Sequence, residues 1–195
     1  MFSRFVFVFL MQVCLQMQFA YSHIAFTKNC EKEIIKLIEN SNESIDIAVY
    51  SINNLNLIEP LINARDRGVK VRILTDRIQA FGKSSKAKLL RDVGFEIKIH
   101  SKQRIMHHKF AIFDGKNAVE GSFNWTYSAA NKNAEDCNIF NKAEDIQALQ
   151  KRFKTLWKLN SKDVSECYFE NMKLKKEDRK KCNLSKIKTT PSSLR

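Results

Sequence analysis

The sequence is short of the residues that punctuate or loosen a chain, with 5 glycines and 2 prolines among 195 residues. It also lacks the roughly 18 to 20 consecutive apolar residues that a membrane-crossing helix requires. Its continuous apolar run from Phe5 to Met11 is interrupted soon after by Gln12, Gln16 and Gln18. No Cys-x2-Cys pair occurs, so the usual zinc-ligand spacing is absent. Acidic residues are few, 21 against 34 Lys and Arg, leaving a formal net charge of +13. What remains is a chain that is 44% hydrophobic, long enough for one globular domain with an appendage. Its surface attracts polyanions, whether nucleic acid, anionic lipid headgroups or acidic polysaccharide, and charge alone does not choose among them.

The first 22 residues combine Arg4, the apolar run and a small-x-small pattern at Ala20 and Ser22. This resembles a secretory signal cleaved after Ser22, giving a secreted or periplasmic protein. An uncleaved membrane tether is the alternative. Cleavage would remove Cys14 and leave Cys30, Cys137, Cys167 and Cys182, which can pair in three ways. Cys167 with Cys182 is the favoured pairing, because both lie in a polar segment with little else to order it.

From Cys30 onward, helix and strand periods alternate. In "CEKEIIKLIENS" the residues Ile34, Ile35, Leu37 and Ile38 make one helical face, while "SIDIAVYSI" alternates as a strand. A helix is expected from "EPLINARDRG", with Pro60 near its start and Gly68 at its end. "VKVRILTD" and "FEIKIH" read as further strands, separated by a helix that closes at Gly94. The predicted fold class is α/β: a mixed, largely parallel sheet flanked by helices on both faces. "HHKFAIFD" and "NAVEGS" flank the turn "DGKN", a hairpin signal. "DCNIF" and the amphipathic "AEDIQALQKRFKTLWKLN" add a strand and a long helix. Residues 23–160 form the expected domain. Residues 161–195, with ten Lys or Arg against five Asp or Glu, read as a basic, loosely structured tail containing one short helix around Asp163 to Lys175.

The stretch "MHHKFAIFDGKNAVEGSFNWT" places polar residues where a core would prefer valine. Alternation puts His107 and Lys109 on one face of a strand, about 6 to 7 Å apart, with His108 on the other. That pair suits a phosphate. Asp114 falls on the opposite parity at the turn, where Asp commonly bonds backbone. Gly121 permits close backbone approach, Ser122 and Asn124 share a face and can donate to phosphoryl oxygens, and Glu135 could fix an imidazole tautomer. His107, His108, His100 and Cys137 do not form a zinc set, since neighbouring strand histidines diverge. His23 and His100 read as surface residues, Asp46 as structural, and Trp125 and Tyr127 as core packing. In the loop "TDRIQAFGKSSK", Arg77, Lys83 and Lys86 surround Phe81, which reads either as an ordinary solvated loop or as a groove wall that grips a backbone and stacks a base.

His107, Lys109 and Asp114 spaced as H-x-K-x4-D, followed by Gly121, Ser122 and Asn124 in "GSFNWTYSAANKNAED", resemble the signature of the phospholipase D superfamily. The likeness is strongest to its small single-motif bacterial endonucleases and to mitochondrial cardiolipin hydrolases, over roughly residues 28 to 158. The resemblance implies a metal-independent phosphodiesterase without a cofactor. His107 would be nucleophile and acid, Lys109 and Asn124 phosphate grips, Ser122 a supporting donor and Glu135 the histidine-orienting acid, with Asp114 completing the motif as a further catalytic residue. The mechanism needs two histidines and the chain carries one motif, so a homodimer sharing its active site is expected. Two substrates fit: nucleic acid, cut with little sequence preference, and a cardiolipin-like phospholipid at a membrane. The second would want an exposed apolar rim near the site, and the sequence shows no such run apart from Phe81.

Overall fold

The structure is a computed structural model that describes residues 20–102, 104–174 and 182. The expected signal, save its last three residues, and the tail beyond residue 174, save Cys182, lie outside the described residues. Seven strands, β1 (Ser22–Phe26), β2 (Ser44–Val49), β3 (Lys70–Asp76), β4 (Glu96–His100), β5 (Lys109–Phe113), β6 (Asn117–Gly121) and β7 (Asp136–Phe140), form one sheet in the order β1-β7-β6-β5-β2-β3-β4. The helices are α1 (Lys28–Glu39), α2 (Leu55–Asp66), α3 (Arg77–Ala80), α4 (Ala87–Asp92), α5 (Tyr127–Asn131), α6 (Ala143–Leu159) and α7 (Lys162–Asn171).

The sheet is mixed, as expected, but its parallel part is confined to β2-β3-β4. The β1-β7, β7-β6, β6-β5 and β5-β2 pairings are antiparallel. The physical reason is connection length: strand-helix-strand crossovers build only the first half, and the second half returns through the short turn at residues 114–116. A strand at residues 22–26, which begins at the last residue of the expected signal, closes the far edge.

Strand alternation sorts the core into two layers. Ile45, Ile47 and Val49 of β2 join Ile34 and Ile38 of α1 and Leu57 and Leu61 of α2. Ala48 faces the other way and joins Leu74, Phe110, Ile112 and the α6 residues Ile146, Phe153 and Leu156. Each fully buried aliphatic or aromatic side chain contributes about 2 kcal/mol. Asp46, on the α6 side, accepts two bonds from Arg72 at 2.7 and 2.6 Å. The Arg72 guanidinium in turn lies over Phe153 and Trp157. The structural role expected of Asp46 is therefore found.

Three expectations need correction. Helix α2 begins at Leu55, with Pro60 inside it rather than near its start, because the Asn54 side chain accepts from Asn56 N at 3.1 Å and caps the helix five residues earlier. His100 is buried, not on the surface, with the Asn160 amide 3.1 Å from its Nδ1. The segment after residue 160 is no loose tail in its first part: α7 buries Val164, Ser165 and Phe169, the last within the main core. The short helix expected there is present and is packed. Cys167 pairs with Cys182 as favoured, and Cys30 pairs with Cys137, fastening α1 to β7.

Candidate active site

The site lies at the edge of the sheet where β2 and β3 end and β5 begins, the end at which side chains of neighbouring strands converge beyond the last paired residues. Val49 is the last residue of β2 and pairs with Lys109, the first of β5. His107 and Lys109 meet there as alternation predicts: Lys109 Nζ lies 3.0 Å from Nδ1, from Nε2 and from the main-chain oxygen of His107. The ammonium can donate to whichever ring nitrogen carries the lone pair. Burial pushes the Lys109 pKa below the usual lysine value, and the Glu135 carboxylate partly opposes that shift.

His108 points to the other face, where it accepts a bond from Arg152 Nε at 3.2 Å and packs edge-on against Phe110. Burial, then the charges of Arg152, His100, Lys109 and His107, push its pKa down. The divergence of the adjacent histidines is as the strand geometry requires.

Across the hairpin, Gly121 adopts φ 151°, and a Cβ there would stand 2.5 Å from Asp136 O and 2.8 Å from Cys137 Cα. Only glycine lets β6 approach β7 so closely. That approach brings Ser122 to Glu135: Ser122 Oγ donates to Glu135 Oε2 at 2.5 Å and accepts from Asp136 N at 3.1 Å. The second Glu135 oxygen accepts from Asn133 Nδ2 at 2.8 Å. Within one chain, then, the expected histidine-orienting carboxylate holds Ser122 and Asn133 and not His107. Asn124 follows between the buried Phe123 and Trp125, and its amide oxygen is buried without a hydrogen-bond partner among the described residues.

Asp114, the third member of the motif, stands at the opposite end of β5, about 16 Å along the strand from Lys109 at about 3.3 Å per residue. Its Oδ1 accepts from Glu43 N and Ser44 N and its Oδ2 from Asn42 N, at 2.8 to 2.9 Å. Burial alone would raise its carboxyl pKa, but these backbone bonds, helped by Lys116, outweigh it and hold the pKa below the usual value. Its place among the catalytic residues is corrected: it fastens the hairpin turn to the start of β2, too far away to touch the chemistry.

Among the groove candidates, Arg77 Nη1 is 3.5 Å from the Tyr168 hydroxyl and the Phe81 ring packs edge-on against Tyr168, so both lean on α7. Lys83 is exposed and Lys86 half-buried. Their loop is tied to the site through Asn53, which donates to Ser84 Oγ at 3.2 Å and accepts from Tyr127 N at 3.0 Å. Trp125 is buried as expected, whereas Tyr127 is exposed, because it opens α5 just outside the sheet and strand parity no longer applies.

Sequence reasoning passed over two residues. Tyr50, the first residue past β2, sets its ring edge-on to His107 with centroids 4.7 Å apart, and Lys109 Nζ lies 5.4 Å from the same ring. Asp76, wholly buried, caps α3 through Oδ1 and accepts Met106 N through Oδ2 at 2.9 Å, which fixes the chain just ahead of His107. Position at a strand's carboxyl end was the available signal for both.

Residues 34–157 match the family described as cardiolipin synthase, PLD-like domain. The chain belongs to this phospholipase D-like family. It is 31% identical over 144 residues to the mitochondrial cardiolipin hydrolase of Chlamydomonas reinhardtii, covering 74% of this chain and 63% of that protein. To the phospholipase D of Rickettsia prowazekii (strain Madrid E) it is 41% identical over 107 residues, covering 55% and 52% respectively. Among solved structures, the phospholipase D family member Nuc from Salmonella typhimurium superposes with a TM-score of 0.69 at 23% identity, covering 73% of this chain and 97% of that one. NucT from Helicobacter pylori gives 0.66 at 23% identity, covering 73% and 98%. These likenesses establish the phospholipase D-like fold. The motif residues His107, Lys109, Ser122 and Asn124 all fall inside the matched range.

Proposed function

We propose that this protein is a phosphodiesterase acting through a phosphohistidine. His107 attacks phosphorus, the P–O bond to the leaving group breaks, and a second histidine, supplied by another copy of the chain across a twofold axis, protonates the departing oxygen. Water then attacks the phosphohistidine, its proton passing to that second histidine, and His107 is regenerated. The observation that carries the reading is the His107–Lys109 contact. Without substrate the ammonium is held at the imidazole. An arriving phosphoryl oxygen draws the ammonium to itself, leaving the ring nitrogen free to attack and placing a cation where charge develops. Asn124 and Ser122 offer further donors, and Glu135 keeps Ser122 oriented. No step is assigned to a metal or cofactor. The N-terminal apolar run is read as an export signal or tether.

For the substrate, the strongly basic surface supports nucleic acid cut with little sequence preference. Exposed aliphatic side chains at the site's edge, which the linear sequence does not reveal, favour phospholipid as the second reading. The test incubates the purified protein in EDTA with single-stranded DNA, duplex DNA, RNA and labelled phospholipid vesicles in parallel, and traps the intermediate as a base-stable, acid-labile phosphate label. The expected result is hydrolysis of one class with label on His107, absent in His107→Ala. No hydrolysis of any of the four, or hydrolysis without label, would overturn the proposal. Light scattering showing an active monomer would remove the shared site.

A further inference from the structure

Four chain segments come together at the edge that carries His107, and their composition is unusual. They are residues 51–56, 77–86, 102 with 104–106, and 124–132, linked by Asn53 to Tyr127 and Ser84, by Lys86 N to Ile52 O, and by Asp76 to Ile78 and Met106. Together they hold Arg77, Lys83, Lys86, Lys102, Arg104 and Lys132 and no Asp or Glu. None of these six is in an ion pair among the described residues. The same segments expose Leu55 (57%), Ile78 (54%), Ile105 (42%) and Tyr127 (57%) to solvent.

We infer that this edge is a docking surface for an anionic phospholipid bilayer, with Leu55, Ile78, Ile105 and Tyr127 entering the interface and the six cations meeting the headgroups. Cations without acidic neighbours suit any polyanion, so charge alone leaves nucleic acid open. The apolar members decide. Single-stranded nucleic acid rewards aromatic faces on which bases stack, yet three of the four exposed side chains are aliphatic, and Phe81 is engaged by Tyr168. Aliphatic side chains ringed by Lys and Arg gain from burial at a headgroup boundary, where apolar area and attraction to anionic lipid add. A second copy of the chain would bring six more cations to the same place. The inference rests on the phosphodiesterase reading only in that it faces the site toward the bilayer.

The test compares the full chain with the triple variant Leu55→Ser/Ile78→Ser/Ile105→Ser, all at exposed positions. Partition is measured by flotation with vesicles of phosphatidylcholine alone and with about one third phosphatidylglycerol. Partition to the anionic vesicles is expected to fall about tenfold in the variant, with hydrolysis of the soluble diester bis(p-nitrophenyl) phosphate and binding of a single-stranded oligonucleotide unchanged. Because the N-terminal apolar run could hold both proteins on vesicles, Ile78→Trp gives a second readout: its emission should shift to the blue and be quenched by brominated lipid. Equal partition of the two proteins together with an unshifted Ile78→Trp emission would overturn the inference. Loss of oligonucleotide binding instead would make the edge a nucleic-acid surface, and dissociation of the variant into monomers would make it the seam between copies. Absence of diester hydrolysis in both proteins, with partition still differing, would remove the catalytic reading and leave this one standing.

Discussion

The ring of Tyr50 stands edge-on to the ring of His107, 4.7 Å between centroids, and the Lys109 ammonium lies 5.4 Å from the same tyrosine. His107 precedes β5 and has no strand partner of its own, so its ring is held by the Tyr50 ring packed beside it and by the Lys109 ammonium. The Tyr50 hydroxyl accepts from Gln79 Nε2 at 2.9 Å, which ties the tyrosine ring to α3. Tyr50→Ala is therefore expected to lower kcat about 10- to 100-fold with little change in KM, since orientation of the attacking ring is lost and not the phosphate grip. Tyr50→Phe, which keeps the ring, should stay within about threefold. Steady-state kinetics on a soluble diester checks both. Equal losses in the two variants would assign the effect to the hydroxyl.

Lys109 is useful as a phosphate grip only while protonated, so activity should fall as pH rises through its pKa. Burial sets that pKa below the usual lysine value and Glu135 partly restores it. The alkaline limb of the kcat/KM profile is therefore expected below about pH 10.4, the ordinary lysine value. In Glu135→Gln, with the opposing carboxylate charge removed, the limb should move to still lower pH. A limb that moves up, or stays in place, would separate Glu135 from Lys109 electrostatically.

The local geometry of the motif was more legible in sequence than the architecture. Alternation alone paired His107 with Lys109 and turned His108 away, because period-two geometry is local. Asp114 was legible in the same way as a turn residue, although its motif suggested chemistry. The direction of the β1-β7, β7-β6 and β5-β2 pairings was not legible, since it depends on which edge the hairpin joins, a choice made by long-range packing. Tyr50 and Asp76 escaped for the same reason: nothing near them in the chain announces that β2 and β3 end beside β5. The exposed rim escaped because Leu55, Ile78, Ile105 and Tyr127 are isolated in sequence and meet only across loops.

Gly121→Ala tests whether the site depends on the close approach of β6 to β7. The added methyl would stand 2.5 Å from Asp136 O, in a backbone conformation of φ 151° that side chains rarely adopt. Either β6 or β7 must shift, and Ser122 and Glu135 shift with them. The expected outcome is a loss of about 2 to 4 kcal/mol in urea unfolding together with a lower kcat per folded molecule. Unchanged activity in the folded fraction would show that the Ser122–Glu135 bond is dispensable.

Asp114 should matter to stability and not to turnover. Its carboxylate accepts three backbone N–H groups at the start of β2, and the residue itself sits at φ 53°, a region Asp and Asn tolerate better than Ala. Asp114→Ala is expected to cost about 2 to 3 kcal/mol, Asp114→Asn less, with kcat per folded molecule unchanged in both. The folded-state pKa of Asp114 is depressed, so its contribution is fully present above the unfolded value of about 3.9 and disappears as pH falls through the lower folded value. The stability gap between the native chain and Asp114→Asn, followed by urea unfolding, should accordingly be constant near neutrality and close only below about pH 4. A gap that widened in acid would overturn this linkage, and a variant that kept its stability and lost turnover would return Asp114 to the chemistry.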